Sequence, residues 1–298
     1  MDNKALIFDI KRDCSEDGPG IRTTVFFKGC PLSCEWCQNP ESIAKTLQLS
    51  FRKEACKPTE CGAACVKVCE SHCLSFVDKL HVKFDQCTRC DRCFEVCPTQ
   101  ALEPVGQWMS LDELLYRVSI DIPFFRSTGG GVTLSGGEAT QQIKFAHQFL
   151  KALKDQQIHT AIETNGFFNY RRFKEMLLPY LDVIYFDIKL INEQESKKFT
   201  GQSNKLILNN FKTLIHEAEI PVIPRIPLIP GVTTTEQNLK GIAEFLKTVG
   251  IESATLMPYN PLWEDKLSRL NMKSNYKSSS FMSNEEKIAC VEQFHTES

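Results

Sequence analysis

The sequence has no apolar run approaching the roughly 20 residues that cross a bilayer. Its richest apolar stretch, residues 220–232, is broken by four prolines and cannot be a membrane helix. There is no basic excess either: 35 Lys and Arg face 37 Asp and Glu, for a formal net charge of −2. A chain without that excess has no means of displacing counterions from phosphates, so nucleic acid and anionic membrane are poor partners. The opening MDNKALIFDI lacks the basic segment and long apolar stretch of a signal peptide, and the expectation is a cytoplasmic protein. No tandem repeat or low-complexity linker appears outside the cysteine-rich zone.

What the sequence does hold is cysteine: 14 in all, of which all but Cys14 and Cys290 lie between Cys30 and Cys97. Such clusters, spaced mostly by two to four residues in a long chain without an export signal, read as metal or cluster ligands rather than disulfides. A reducing, oxygen-poor cytoplasm is implied. Cys14 and Cys290 read as non-ligands.

Three zones are visible. Residues 1–50 contain a β-rich run, Thr23–Lys28, that leads into the first cysteines. Residues 51–107 hold nine cysteines and little helical periodicity. Beyond them the pattern alternates, and residues 1–50 with 108–298 are expected to form one discontinuous core. Strands are predicted at 132–135, 159–163, 183–188, 222–226 and 254–257. Helices are predicted at 143–153, 170–178, 205–217 and 235–249. Ser110 with Glu113, and Ser283 with Glu286, read as capping boxes. Residues 273–280 read as a flexible loop. Strands alternating with helices imply an α/β fold around a parallel sheet, open or closed into a barrel, with ligands at the carboxyl ends of the strands.

Cys30-x3-Cys34-x2-Cys37 comes just after a strand. Three thiolates in one short loop can hold three irons of a [4Fe–4S] cube and leave the fourth open to a small chelate; zinc, or a distant fourth cysteine, is the alternative. With Trp36 in the aromatic slot, this loop resembles the C-x3-C-x-aromatic-C hallmark of the radical S-adenosylmethionine superfamily. Within it, the chain resembles the activating enzymes of glycyl-radical enzymes. Seven strings in family order carry the likeness: residues 17–30, 36–41 (WCQNPE), 133–139 (TLSGGEA), 162–166 (IETNG), 186–189 (FDIK), 225–231 (RIPLIPG) and 257–260 (MPYN).

The resemblance implies a partial (β/α)6 barrel of TIM type. It also implies reductive cleavage of S-adenosylmethionine to a 5′-deoxyadenosyl radical, which takes hydrogen from a glycine Cα of a partner enzyme. By the same likeness, Trp36, Gln38, Gly136, Gly137, Glu138, Asp187, Lys189, Arg225 and Asn260 bind S-adenosylmethionine. The two glycines let backbone approach the methionine group, Glu138 suits its ammonium, and Lys189 and Arg225 suit its carboxylate. Glu163, Thr164 and Asp187 are oxygen donors where the family's pyruvate formate-lyase branch binds a monovalent cation. Here glutamate stands where aspartate is usual, and Asn260 stands where histidine is common. Asp17, Gly18, Pro19 and Gly20 are expected to face the partner's glycine loop.

The second motif, Cys87-x2-Cys90-x2-Cys93-x3-Cys97-Pro98, is the bacterial ferredoxin run, whose fourth cysteine ligates the other cluster. Its mate holds five cysteines. Aligning 96–102 with 68–74 matches Cys69 to Cys97 and Cys73 to Ala101. One auxiliary cluster is therefore expected on Cys56, Cys61, Cys65 and Cys97, and the other on Cys69, Cys87, Cys90 and Cys93, with Cys73 as the rival to Cys69. Residues 51–107 then form a ferredoxin-like two-cluster insert, and the protein carries three [4Fe–4S] clusters. Such an insert points to a partner such as a diol dehydratase, an arylacetate decarboxylase or a C–S or C–N lyase. A flavodoxin- or ferredoxin-type reductant and a monomeric state are also expected. The rival functions are a radical enzyme with a small-molecule substrate and a ferredoxin-like electron carrier.

Overall fold

A computed structural model describes residues 4–295. Twelve strands fall in chain order: β1 (Lys4–Cys14), β2 (Arg22–Phe27), β3 (Gln48–Phe51), β4 (Leu74–Phe76), β5 (Leu80–Val82), β6 (Leu102–Val105), β7 (Gln107–Ser110), β8 (Gly131–Gly136), β9 (His159–Thr164), β10 (Val183–Asp187), β11 (Val222–Leu228) and β12 (Thr255–Pro258). The main sheet runs β12-β11-β10-β9-β8-β2-β1-β7. From β2 to β12 its six strands are parallel, each beside its successor in the main sheet, while β1 pairs antiparallel with both β2 and β7. That order winds in one direction, as in a barrel, yet β12 and β7 remain unpaired edges.

Strand side chains alternate between two faces. One face is apolar: Val25, Phe27, Val132, Leu134, Ile162, Ile184, Phe186 and Ile226 are all buried there. It joins one core with helix residues such as Phe149, Phe173, Phe211 and Leu239. Fully burying each such side chain stabilises the fold by about 1.5–3 kcal/mol. The other face is polar. Thr24 pairs with Thr133, Glu163 with Tyr185, and Asp187 with Arg225, so these side chains share the inner surface. A filled barrel packs its interior with branched apolar residues. This interior carries hydroxyls and charges instead, which suits a ligand-bearing lumen.

The capping box at Ser110 and Glu113 forms, with Ser110 Oγ accepting from the Glu113 amide. The Ser283 hydroxyl likewise accepts from the Glu286 amide. The helix Lys205–Glu217 has its expected bounds. Two differences have physical causes. The helix from Tyr170 stops at Met176 because Pro179 lies just beyond and forces a tighter turn, Leu178–Tyr180. Strand β11 runs on past its expected end at 226 to Leu228, because its register with β12 continues through Pro227. Strand β1 and the polar helix Glu193–Thr200 are additional to the expected elements.

Strands β3 and β6 pair as a stem, and the segment between them has its own core of Leu49, Phe51, Leu74, Leu80, Ala101 and Leu102 around Cys65, Cys69 and Cys73. This segment packs around a cluster distinct from the main core. It is internally repeated. Ala63 and Asp91 both take left-handed backbone two residues before Cys65 and Cys93, and His72 and Gln100 do so three residues after Cys69 and Cys97.

Candidate active site

Cys30, Cys34 and Cys37 lie just past the carboxyl end of β2 and line a cavity of about 240 Å³. The loop is pinned at both ends of its run: the Gly29 and Cys30 amides donate to Ser42 and Ile43, and the Ser33 and Glu35 amides donate to Thr200 and Phe199. Gly136 and Gly137 bring β8 against it. A Cβ on Gly136 would stand 2.4 Å from the Phe27 carbonyl oxygen, and one on Gly137 2.6 Å from that of Gly29. These glycines are required by the fold itself, besides any ligand they meet.

Burial pushes all three thiols up, Cys37 to about 12, and for Cys30 and Cys37 the neighbouring Cys34 thiolate adds to it. Left alone they would stay protonated at neutral pH. A cationic metal centre reverses that balance, so this donor set fits an iron–sulfur cluster and is idle without one.

Asp187, Lys189 and Arg225 line the same cavity. Lys189 Nζ donates to Asp187 Oδ2 at 3.0 Å, Arg225 Nε to Asp187 Oδ1 at 3.1 Å, and Arg225 Nη1 to Glu163 Oε1 at 2.5 Å. Ser135 donates to the other Glu163 oxygen. Burial opposes charge on Asp187, but Lys189 and Arg225 outweigh it and hold the carboxyl below its usual value. For Glu163 burial wins over Arg225 and the value rises. The Lys189 ammonium is held charged by Asp187 against burial.

Two expected residues sit differently from a simple ligand shell. Glu138 is fully buried and does not line the cavity. Its carboxylate accepts from the Thr140 hydroxyl at 2.8 Å, the Thr164 hydroxyl at 2.9 Å and the Asn165 amide at 2.9 Å. Thr164, in register with Phe186 on the apolar face, is turned to Glu138 and away from Glu163 and Asp187. The three residues expected at a monovalent cation all border the cavity, but the Thr164 hydroxyl is spent on Glu138 and the Arg225 guanidinium bridges the two acids.

Trp36 is buried against Phe199, with ring centroids 6.2 Å apart. Gln38 Nε2 donates to the Asn260 carbonyl at 3.2 Å, which joins the cysteine loop to the segment after β12. The Asn260 side chain accepts from the Leu262 amide at 3.3 Å. Two further contacts on the cysteine loop have no signal in the sequence pattern. Lys266 Nζ donates to the Gln38 carbonyl, Asn39 Oδ1 and Glu41 Oε1 at 3.0, 3.2 and 2.8 Å. Ser274 donates to the Glu35 carbonyl, between Cys34 and Cys37, at 2.5 Å. Residues 273–280, expected to be a flexible loop, are irregular but anchored: the Tyr276 hydroxyl donates to Pro230 and its ring stacks on Trp263.

The Asp17–Gly20 loop lies at the amino end of β8. Asp17 accepts from the Thr24 hydroxyl, at 2.5 Å, on the inner face of the sheet. The buried Arg22 clamps the loop, donating to Pro19 at 3.1 Å, Thr133 at 2.7 Å and Val132 at 2.8 Å. Gly20 has φ +67°, and a Cβ there would stand 2.4 Å from the Gly130 nitrogen. Only glycine suits that turn.

In the inserted unit, Cys56, Cys61, Cys65 and Cys97 line one small cavity. Cys93 is pushed up to about 12 by burial and then by neighbouring thiolates, Cys87 first, then Cys65, Cys90 and Cys69. The internal repeat sets Cys69 on Cys97. Each backbone amide donates to the carbonyl three residues back, on Val66 and Phe94. Hydrogen bonds involving Ser71 and Leu74, or Thr99 and Leu102, bring each thiol below its usual value despite burial. Cys73 Sγ lies 3.4 Å from Cys69 Sγ. Among the described residues, no three His, Cys, Asp or Glu side chains meet closely enough to seat a single metal ion. Among the same residues, no helix is long and apolar enough to cross a membrane.

Comparison with known proteins adds two findings. The family model described as the radical SAM superfamily matches residues 24–246. Named relatives include the isethionate sulfite-lyase activating enzyme of Nitratidesulfovibrio vulgaris, 36% identical over 90% of this chain and 88% of its own length. The trans-4-hydroxy-L-proline dehydratase activating enzyme of Clostridioides difficile is 37% identical over 90% and 88%. The pyruvate formate-lyase 2-activating enzyme of Escherichia coli is 37% identical over 89% and 80%.

Proposed function

Because the chain belongs to the radical SAM superfamily and, within it, to the activating enzymes of glycyl-radical enzymes, we propose that it cleaves S-adenosylmethionine on a [4Fe–4S] cluster held by Cys30, Cys34 and Cys37 and installs a radical on a glycine of a partner enzyme. One observation carries this most directly. The three thiols open on one end of a polar lumen, and the clamped Asp17–Gly20 loop lies along its other end.

When bound, the cluster and S-adenosylmethionine supply one-electron cleavage of the S–C5′ bond and a carbon radical able to take hydrogen from the glycine Cα. The protein's part is to bind and orient. The β8 terminus at Gly136 and Gly137 offers backbone to the amino group, and Lys189 offers its ammonium to the carboxylate. Arg225, fixed by Glu163 and Asp187, keeps that wall rigid and nearly neutral in sum. Asn260, whose carbonyl accepts from Gln38, would offer its amide to the ribose or adenine. Trp36 shields the cluster loop from water.

The inserted unit is read as a ferredoxin-like module with two further clusters, one on Cys56, Cys61, Cys65 and Cys97, the other on Cys69, Cys87, Cys90 and Cys93. The backbone repeat and the four-thiol cavity support it. It would relay electrons from a flavodoxin- or ferredoxin-type reductant, in a monomeric enzyme of an anaerobic cytoplasm. Anaerobic protein given dithionite and S-adenosylmethionine should form 5′-deoxyadenosine, and Cys34→Ala should not. A candidate partner incubated with it should show a glycyl doublet by electron paramagnetic resonance; cleavage without a doublet on any such partner would overturn the activating role.

A further inference from the structure

Asn165 comes directly after β9 and is 6% exposed at the edge of the cavity. Its side-chain nitrogen, Nδ2, lies 3.4 Å from Cys30 Sγ, across 135 residues of sequence. The orientation of an amide is assigned from its neighbours, and here they agree. Oδ1 accepts from the Phe167 amide at 2.9 Å, which leaves Nδ2 to face the sulfur. The backbone of Asn165 is held as well, its amide donating to Glu138 Oε2 at 2.9 Å. Glu138 is in turn fixed by Thr140 and Thr164. This chain of contacts gives the buried Glu138 a purpose that does not require it to touch a ligand.

We propose that Asn165 is a positioning residue for the radical-generating cluster, donating a hydrogen bond to the Cys30 sulfur and setting the cluster's reduction potential. The inference rests on the reading of Cys30 as a cluster ligand. A [4Fe–4S]2+ cluster takes one electron to become the 1+ state, with no bond made or broken, and the added negative charge spreads onto its thiolate sulfurs. A donor aimed at a sulfur stabilises the reduced state more than the oxidised one, so it raises the potential. A preoriented, buried donor does so without reorganising when the electron arrives.

The test is a dithionite redox titration of the anaerobically reconstituted full chain, monitored by electron paramagnetic resonance. The signal that changes on adding S-adenosylmethionine marks the Cys30 cluster. If the parent protein shows no such signal, the ligand assignment fails, and with it the basis of this inference. If it does, Asn165→Leu, near-isosteric and without a donor, should keep the parent's iron content and shift the midpoint to a more negative value. Asn165→Asp should shift it further, having lost the donor and gained a charge. An unchanged or more positive midpoint in the Leu variant overturns the proposal. Should neither variant hold its cluster, the parent decides: protein labelled with nitrogen-15 asparagine should show one side-chain nitrogen coupled to the reduced cluster in pulsed measurements, and no coupling overturns the proposal.

Discussion

Lys266 Nζ stands 2.8 Å from Glu41 Oε1, and with that contact a helix near the end of the chain grips the loop beyond Cys37. The same ammonium reaches the Gln38 carbonyl and Asn39. Lys266→Met should therefore loosen the cysteine loop from the side away from the strands. The side chain is 32% exposed, so the stability lost to denaturant should be modest, about 1 kcal/mol. The larger effect falls on binding: the KM for S-adenosylmethionine should rise several-fold with the iron content kept. Equal KM values in variant and parent would count against the clasp.

Gly20→Ala should separate the two halves of the reaction. The turn needs positive φ and has no room for a Cβ, and a left-handed alanine costs about 1–2 kcal/mol. The turn lies by the amino ends of β2 and β8, whereas the thiols follow the carboxyl end of β2. Dithionite-driven 5′-deoxyadenosine formation without a partner should stay near the parent rate, while the yield of glycyl radical on the partner falls. A proportional drop in both would show that the loop serves the whole lumen.

The insert offers a direct comparison of two thiols. Cys69→Ala should cost one cluster, about four irons of roughly 12. Cys73→Ala should leave iron nearly unchanged, because its repeat partner, Ala101, has no thiol. Iron and sulfide analysis of the two anaerobic proteins decides the point; loss of a cluster only from the Cys73 variant would reverse the assignment.

His159 gives a pH dependence remote from the cluster. Arg22 Nη1 lies 3.2 Å from His159 Nδ1, so the ring must be neutral to accept. Burial first, then Arg22, holds its pKa below the usual value. A depressed folded pKa means the unfolded chain binds the proton more tightly. The stabilisation is complete above the unfolded value of about 6.5 and is lost as the pH falls through the folded one. Parent protein should lose stability as the pH falls below about 6.5, and His159→Gln should show a shallower slope in urea melts there.

Much of this molecule is written locally. The capping boxes, the helix from Lys205 to Glu217 and the cysteine spacings are short-range patterns, and the chain obeys them. What could not be read depends on distant returns. Lys266 belongs to EDKLSR, a solvated charge run on its face, and only the path after β12 brings it to Glu41. Asn165 sits in a recognised string yet meets Cys30 through the stacking of β9 near β2. Glu138 looks like a ligand because it comes after two glycines; burial on the apolar side of β8 turns it into a brace. Residues 273–280 have a loop's composition, and their order comes from Tyr276 and Ser274 contacts that composition does not encode.

Cys97 shares its cavity with Cys56, Cys61 and Cys65, and on the proposed assignment Cys69 serves the other cluster with Cys87, Cys90 and Cys93. A chain emerging from the ribosome therefore cannot finish the first site when its first three cysteines appear. It must wait for the 32 residues from Cys65 to Cys97, and by then the other four thiols are present too. On that assignment the crossing would make loading a joint event, since iron delivered early would find an incomplete set.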